Sequence, residues 1–216
     1  MHEMGGWRTG ARLTAGLVAG LACGALVLQY VLLLRAAPDG AALATIRFFS
    51  YFTILGNTLV ALACITVAHG RDMAWMARPR ALGAVALYIA IVGFVYVTVL
   101  RPLWQPQGAQ WLADAALHYA VPLAYVGWWA WAVPHRRLSW TDLAWWLPFP
   151  LAYLAWALWR GSWAGEYPYP FIDVGALGIG TVLRNALSVT AVFIAFGALL
   201  VWLDRRWPQR GNMRPG

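Results

Sequence analysis

The sequence predicts an all-α, polytopic membrane protein: a single domain over 1–216, built as a six-transmembrane-helix bundle with N and C termini cytoplasmic. Three observations predict it. Hydrophobic residues fill 62% of the 216 positions and charged residues only 11%, whereas a soluble domain is about half apolar and about a quarter charged. So few charges cannot cover a water-facing surface. Six runs of about 20 apolar residues occur, and a run of that length crosses the roughly 30 Å hydrocarbon core as a helix. The arginines are shared unequally between the two sets of connections, as expected when one set stays in the cytoplasm.

The spans fall at about 11–34, 46–68, 81–100, 112–133, 139–159 and 181–203. In the first, Gly20, Leu21, Ala22 and Cys23 faintly resemble a lipoprotein cleavage site. A large aliphatic residue is missing three places before the cysteine, and the apolar run continues past it. The segment is therefore expected to be an uncleaved helix. The break after it holds Pro38, Asp39 and Gly40, and Arg101 and Pro102 close the third span. Pro148 and Pro150 lie inside the fifth and are expected to kink it, because each removes a backbone donor. The longest connection, RGSWAGEYPYPFIDVGALGIG at 160–180, is aromatic and apolar and suggests a cap on the bundle. Tryptophans near span ends, such as Trp104, Trp111, Trp159, Trp163 and Trp207, fit interfacial belts.

All 16 basic residues are arginine, a bias that fits a GC-rich bacterial genome and hence the bacterial cytoplasmic membrane. Eleven of them lie on one side: Arg8 and Arg12; Arg71, Arg78 and Arg80; Arg136 and Arg137; Arg205, Arg206, Arg210 and Arg214. The other side holds Arg35, Arg47, Arg101, Arg160 and Arg184. The net charge of +8 would suggest nucleic acid in a soluble protein. Here the arginines cluster where apolar runs end, so the expected partners are membrane lipids and a lipid-like substrate, with no nucleic acid. Cys23 and Cys64 both lie within apolar runs, so neither a disulfide framework nor a zinc site is expected. No metal and no organic cofactor is required.

Polar groups within spans cost free energy and therefore point to function. His118 is the only histidine well inside a span; His2, His69 and His135 fall in termini or loops. Asp114 precedes His118 by four residues and shares its helix face. A carboxylate there can hold one imidazole nitrogen and leave the other basic. Thr53 and Asn57 are likewise four apart in the second span. Thr53 lies seven residues past Ile46, and His118 six past Leu112. At 1.5 Å per residue both sit roughly 9–10 Å below the outer edge. A threonine hydroxyl needs a base to become a nucleophile, and a histidine oriented by an acid supplies one. Arg47 and Arg184 occupy the same outer layer, suited to an anionic headgroup or a developing oxyanion.

Each residue also has a plainer reading. A helix threonine often bonds its own carbonyl four residues back. Asp114 can serve the dipole of the first helical turn. Asn57 can be interhelical glue, and Arg47 and Arg184 can snorkel to headgroups.

Three stretches carry a family resemblance: RFFSYFTILGN at 47–57, LHYAVPL at 117–123 and YPYPFID at 167–173. Across the six-helix region the chain resembles the bacterial six-transmembrane "Pr-six-Pr" membrane proteins. These are distantly similar to the eukaryotic androgen-induced and androgen-dependent TFPI-regulating proteins, which are threonine hydrolases of fatty acid esters of hydroxy fatty acids. The resemblance implies Thr53 as nucleophile and His118 as base. Asp114 as orienting acid rests on spacing alone.

The expected function is therefore an intramembrane threonine hydrolase of lipid esters. Thr53, His118 and Asp114 are the catalytic set, and Asn57, Arg47 and Arg184 hold substrate. The alternative is a non-catalytic lipid- or small-molecule-binding protein or transporter using the same polar pocket. A haem carrier is disfavoured by the single intramembrane histidine, and a rhomboid-like protease by the lack of a GxSG-type motif.

Overall fold

The computed structural model describes residues 7–38, 40–71 and 74–208. His2, Asp39, Arg210 and Arg214 lie outside the described residues. Helices dominate the described residues, which include no strand.

Helix α1, Thr9–Ala36, buries a stripe of small residues that includes Ala11, Ala15, Ala19 and Ala22. Small residues let two backbones approach closely, and this stripe packs along α3, Phe52–Ala68. Between them lies α2, Ala41–Phe49. Helices α2 and α3 replace the expected uninterrupted second span and meet at an angle of 78°. The break is local. Ser50 turns its hydroxyl onto the carbonyl of Ile46 at 2.7 Å, and Tyr51 adopts extended backbone angles.

Helix α4, Pro79–Val95, continues through a π-helical turn, Tyr96–Leu100. Helix α5, Gly108–Ala115, leads through a second π turn, Ala116–Ala120, into α6, Val121–Ala132. The two turns share a cause. Each is followed, two residues after its end, by a proline: Pro102 in one case and Pro122 in the other. A proline lacks the donor for the carbonyl four residues back, and its ring crowds that carbonyl. The two carbonyls are those of Thr98 and His118, each in the middle of its π turn. The wider turn relieves the crowding. Such turns recur at functional sites.

The fifth segment is likewise divided, into α7, Asp142–Trp146, and α8, Pro148–Ala164. The expected kink is thus an interruption at Leu147. Pro148 opens the new helix, where its missing N–H has no intrahelical partner to lose. After a short α9, Val174–Leu177, the long α10, Ile179–Arg206, closes the chain.

Among the described residues, three helical stretches are each long and apolar enough to cross a membrane: Thr9–Ala36, Pro79–Leu100 and Ile179–Arg206. The bent pair α2 and α3 adds a fourth when counted as one span. Outward-facing leucines such as Leu17, Leu123 and Leu187 are more than 70% exposed, an apolar exterior suited to lipid.

Contacts gather the basic termini at one end of the bundle. Arg12 donates to the Ala68 carbonyl at 3.2 Å, and Trp128 to that of Ala11 at 3.1 Å. His135 meets the buried Asp204 at 3.0 Å. Arg80 pairs with the buried Asp142. The α2–α3 break, the two π turns and the 165–172 connection lie at the other end, where the polar residues of the spans converge.

Candidate active site

The break at 50–51 decides where Thr53 stands. It places Thr53 second in a new helix instead of deep within a continuous one. Backbone N–H groups in a first helical turn lack intrahelical acceptors, and the positive end of the helix dipole lies there. The N–H of Thr53 is taken by the phenol oxygen of Tyr169, at 3.2 Å.

The position also frees the Thr53 hydroxyl. Thr14, Thr45, Thr58, Thr66, Thr98 and Thr190 each donate to the carbonyl four residues back. Thr53 does not. Its Oγ1 lies 3.3 Å from His118 Nε2 and 3.3 Å from the Tyr169 hydroxyl. It is 7% exposed.

His118 sits at the centre of the second π turn. Its Nδ1 is 3.0 Å from the Asp114 carbonyl and 3.4 Å from Asp114 Oδ1. Both neighbours are acceptors, so Nδ1 carries the hydrogen and Nε2 presents a lone pair to Thr53. The imidazole is held on its flat side as well. Tyr96, first in the other π turn, stacks on it with centroids 4.0 Å apart and an interplanar angle of 18°. The Tyr96 hydroxyl donates to Asp114 Oδ2. A Cβ added to Gly93 would stand 3.3 Å from the His118 carbonyl, a tight contact that the glycine relieves.

The hydrogen-bond directions form one consistent chain. The phenol of Tyr169 already accepts the Thr53 N–H, so its own hydrogen is free for Thr53 Oγ1. Thr53 in turn directs its hydrogen to His118, and His118 to Asp114. Burial pushes the Tyr169 phenol above its usual pKa against the pull of its bonds to Thr53, which keeps it a donor.

These groups line a cavity of about 510 Å³. Gln29 and Gln110, joined at 2.8 Å, form part of its wall. Leu33, Leu100 and Trp104 make other parts apolar. A volume of this size is typical of small-molecule sites.

The remaining expected residues take other places. Asn57 is fully buried, and its amide nitrogen donates to the carbonyls of Thr53 at 2.8 Å and Leu117 at 3.2 Å. It ties the helix of Thr53 to the segment that carries His118 and does not line the cavity. Arg47 donates to Glu166 Oε2 at 2.9 Å. The same carboxylate oxygen receives Arg160 at 3.1 Å, and that arginine is only 2% exposed. Arg184 is exposed on α10 and does not line the cavity.

The 160–180 segment does pack onto the bundle. Glu166 anchors it, Tyr167 covers Gly161, and Tyr169 reaches Thr53. Glu166 is a carboxylate that burial would raise, but its bonds to Arg47 and Arg160 bring it below its usual pKa.

Sequence reasoning assigned no role to Tyr96 or Tyr169. The only signals for them were the prolines that place the π turns and the YPYPF run within a connection too aromatic for solvent. Fold and site together define an all-helical protein with candidate membrane-spanning helices around a buried Thr–His–Asp–Tyr cluster. No family model, curated protein or solved structure matches the chain.

Proposed function

We propose that the protein is an intramembrane threonine hydrolase of lipid esters, set in a six-span bundle with both ends in the cytoplasm of a bacterium. The observation that carries this reading is the 3.3 Å approach of Thr53 Oγ1 to His118 Nε2, with Asp114 behind the imidazole. The resemblance to the Pr-six-Pr proteins, and through them to the threonine hydrolases of fatty acid esters of hydroxy fatty acids, supports the same pair.

In this reading an ester enters the 510 Å³ cavity from the outer leaflet. His118 Nε2 takes the Thr53 hydroxyl proton as Oγ1 bonds to the carbonyl carbon. The oxygen of the tetrahedral intermediate becomes negative. Tyr169 donates to it, and the N-terminus of α3 faces it. Collapse breaks the bond to the alcohol oxygen, which leaves with the proton from His118. Water, deprotonated by His118, then attacks the acyl-threonine and releases the acid. Asp114 and Tyr96 hold the imidazole throughout. Asn57 fixes the spacing of the two helices, and the Arg47–Glu166–Arg160 cluster fixes the segment that carries Tyr169.

The basic end supports the orientation in this reading. Arg8, Arg12, Arg71, Arg78, Arg80, Arg136, Arg137, Arg205 and Arg206 fall there, the charge bias expected of a cytoplasmic end, with the proposed catalytic cluster then in the outer half.

The test is labelling of the purified protein by a fluorophosphonate probe, with Thr53→Ala and His118→Ala as comparisons. The reading expects labelling of the wild type that both substitutions abolish while thermal melting stays cooperative. No labelling together with no turnover of any lipid ester would favour a lipid-binding protein that uses the same cavity.

A further inference from the structure

A second, smaller cavity of about 80 Å³ lies on the far side of Thr53, between α4, α8 and α10. Its walls are almost wholly apolar and include Val92, Leu151, Ala186, Val189 and Phe193. Only Thr53, Leu100 and Tyr169 line both cavities. His118 and Asp114 line the large one and not the small one. Thr53 and Tyr169 therefore form the waist between a polar chamber and an apolar groove.

An ester has two arms, and the chemistry sorts them. The leaving alcohol oxygen must take its proton from His118 Nε2, so the alcohol arm lies where His118 is. The carbonyl carbon must touch Thr53 Oγ1, at the waist. The acyl chain leaves that carbon in the other direction. Resting on the hydrolase reading, we propose that the groove between α4, α8 and α10 is the acyl-chain site, and that it binds an unbranched, uncharged hydrocarbon chain.

Three features fit this occupant. The walls offer no buried charge to a polar chain. Leu151, on the wall, is 47% exposed, so the groove continues to the apolar outer surface. A chain too long for about 80 Å³ can run out there among lipid tails, where it loses no hydrophobic burial. The Tyr169 ring, stacked on Phe171 with centroids 5.2 Å apart, keeps the two arms apart.

The experiment compares p-nitrophenyl acetate with p-nitrophenyl decanoate, two esters that differ only in the acyl arm. Its readout is the decanoate-to-acetate ratio of kcat/KM. Val189→Phe, which fills the groove, is expected to lower the ratio at least tenfold. Leu33→Phe, in the large chamber, is expected to leave that ratio within about twofold. Should Val189→Phe fold poorly, Val189→Ala serves instead, and there the ratio should hold or rise. A ratio that stays fixed in Val189→Phe, falls in Val189→Ala, or falls in Leu33→Phe alone overturns the assignment while leaving the hydrolase in place. A wild type that turns over neither ester and takes no fluorophosphonate removes the hydrolase reading, and this assignment with it.

Discussion

Tyr96 lies flat on the His118 imidazole, with ring centroids 4.0 Å apart, while its hydroxyl bonds the Asp114 carboxylate that faces the same imidazole. One side chain thus fixes the plane of the imidazole and one oxygen of the carboxylate beside it. The two contributions can be separated. Tyr96→Phe keeps the stack and loses the donor. Removing one buried hydrogen bond to a carboxylate costs about 1.5–3 kcal/mol, so a loss of kcat starting from roughly tenfold is expected. Tyr96→Leu loses both and lets the imidazole shift. A misplacement of about 1 Å can cost 10²-fold, and that larger loss is expected. Equal kcat values for the two variants would show that the stack does nothing for the base.

Tyr169→Phe retains the ring that packs on Phe171 and Tyr51 and removes only the hydroxyl beside Thr53. Loss of one oxyanion donor lowers kcat by about 10²–10³-fold. The expected signature is a fall in kcat with KM within a few fold, read by steady-state ester kinetics. A loss confined to KM would place the hydroxyl in ground-state binding instead.

Asn57→Leu is expected to act on stability first. Its amide donates to the carbonyls of Thr53 and Leu117, and each such hydrogen bond contributes about 0.5–1.5 kcal/mol. A fall in the thermal midpoint of several degrees in detergent is expected, with fluorophosphonate labelling lost in proportion to the fraction unfolded. Abolished labelling at an unchanged midpoint would give Asn57 a direct part in the chemistry.

The Glu166 anchor gives a pH dependence whose sign is fixed. Its pKa is lowered in the folded protein from an ordinary 4.5. Its contribution is therefore fully present above the ordinary value and is lost as pH falls through the lowered one. Protonation leaves the nearly buried Arg160 without its carboxylate partner. Hydrogen exchange of backbone amides in 165–173 should accelerate as pH drops below 4.5, after correction for the intrinsic rate. In Glu166→Gln the segment should already exchange fast at neutral pH and show no such step.

Gly161 tests the cap sterically. A Cβ there would stand 2.0 Å from the Tyr167 ring, closer than any real contact. Gly161→Val must push the segment outward and carry Tyr169 from Thr53. Labelling should fall at least tenfold, while Gly127→Ala, where a Cβ meets nothing within 4 Å, should label as the wild type does.

Much of this was legible in the residues themselves. Lipid-length apolar runs, arginine placed at their ends and punctuation by proline and glycine are local properties, and they locate the helical stretches from 9 to 206 to within a few residues. Depth counting along the second and fourth runs, both entering from the same face, also brought Thr53 and His118 to one layer. Hydropathy does not encode breaks whose cause is local backbone competition. The turn at 50–51 and the π turns before Pro102 and Pro122 were therefore missed, and with them the placement of Thr53 at a helix start.

Tertiary structure alone decided the partners. Tyr169 and Thr53 are 116 residues apart, and Arg47 and Glu166 are 119 apart. No periodicity links positions so distant, because such contacts arise only when whole helices pack and one connection folds over them. The sequence by itself determined an apolar, helical protein with candidate membrane-spanning runs and placed a threonine and a histidine at matching positions along two of them. Packing determined that Arg47 spends its charge on an anchor, that Arg184 faces outward, and that a tyrosine from a connection joins the pair. Burial is a property each residue carries with it, whereas the choice of neighbour belongs to the assembled bundle.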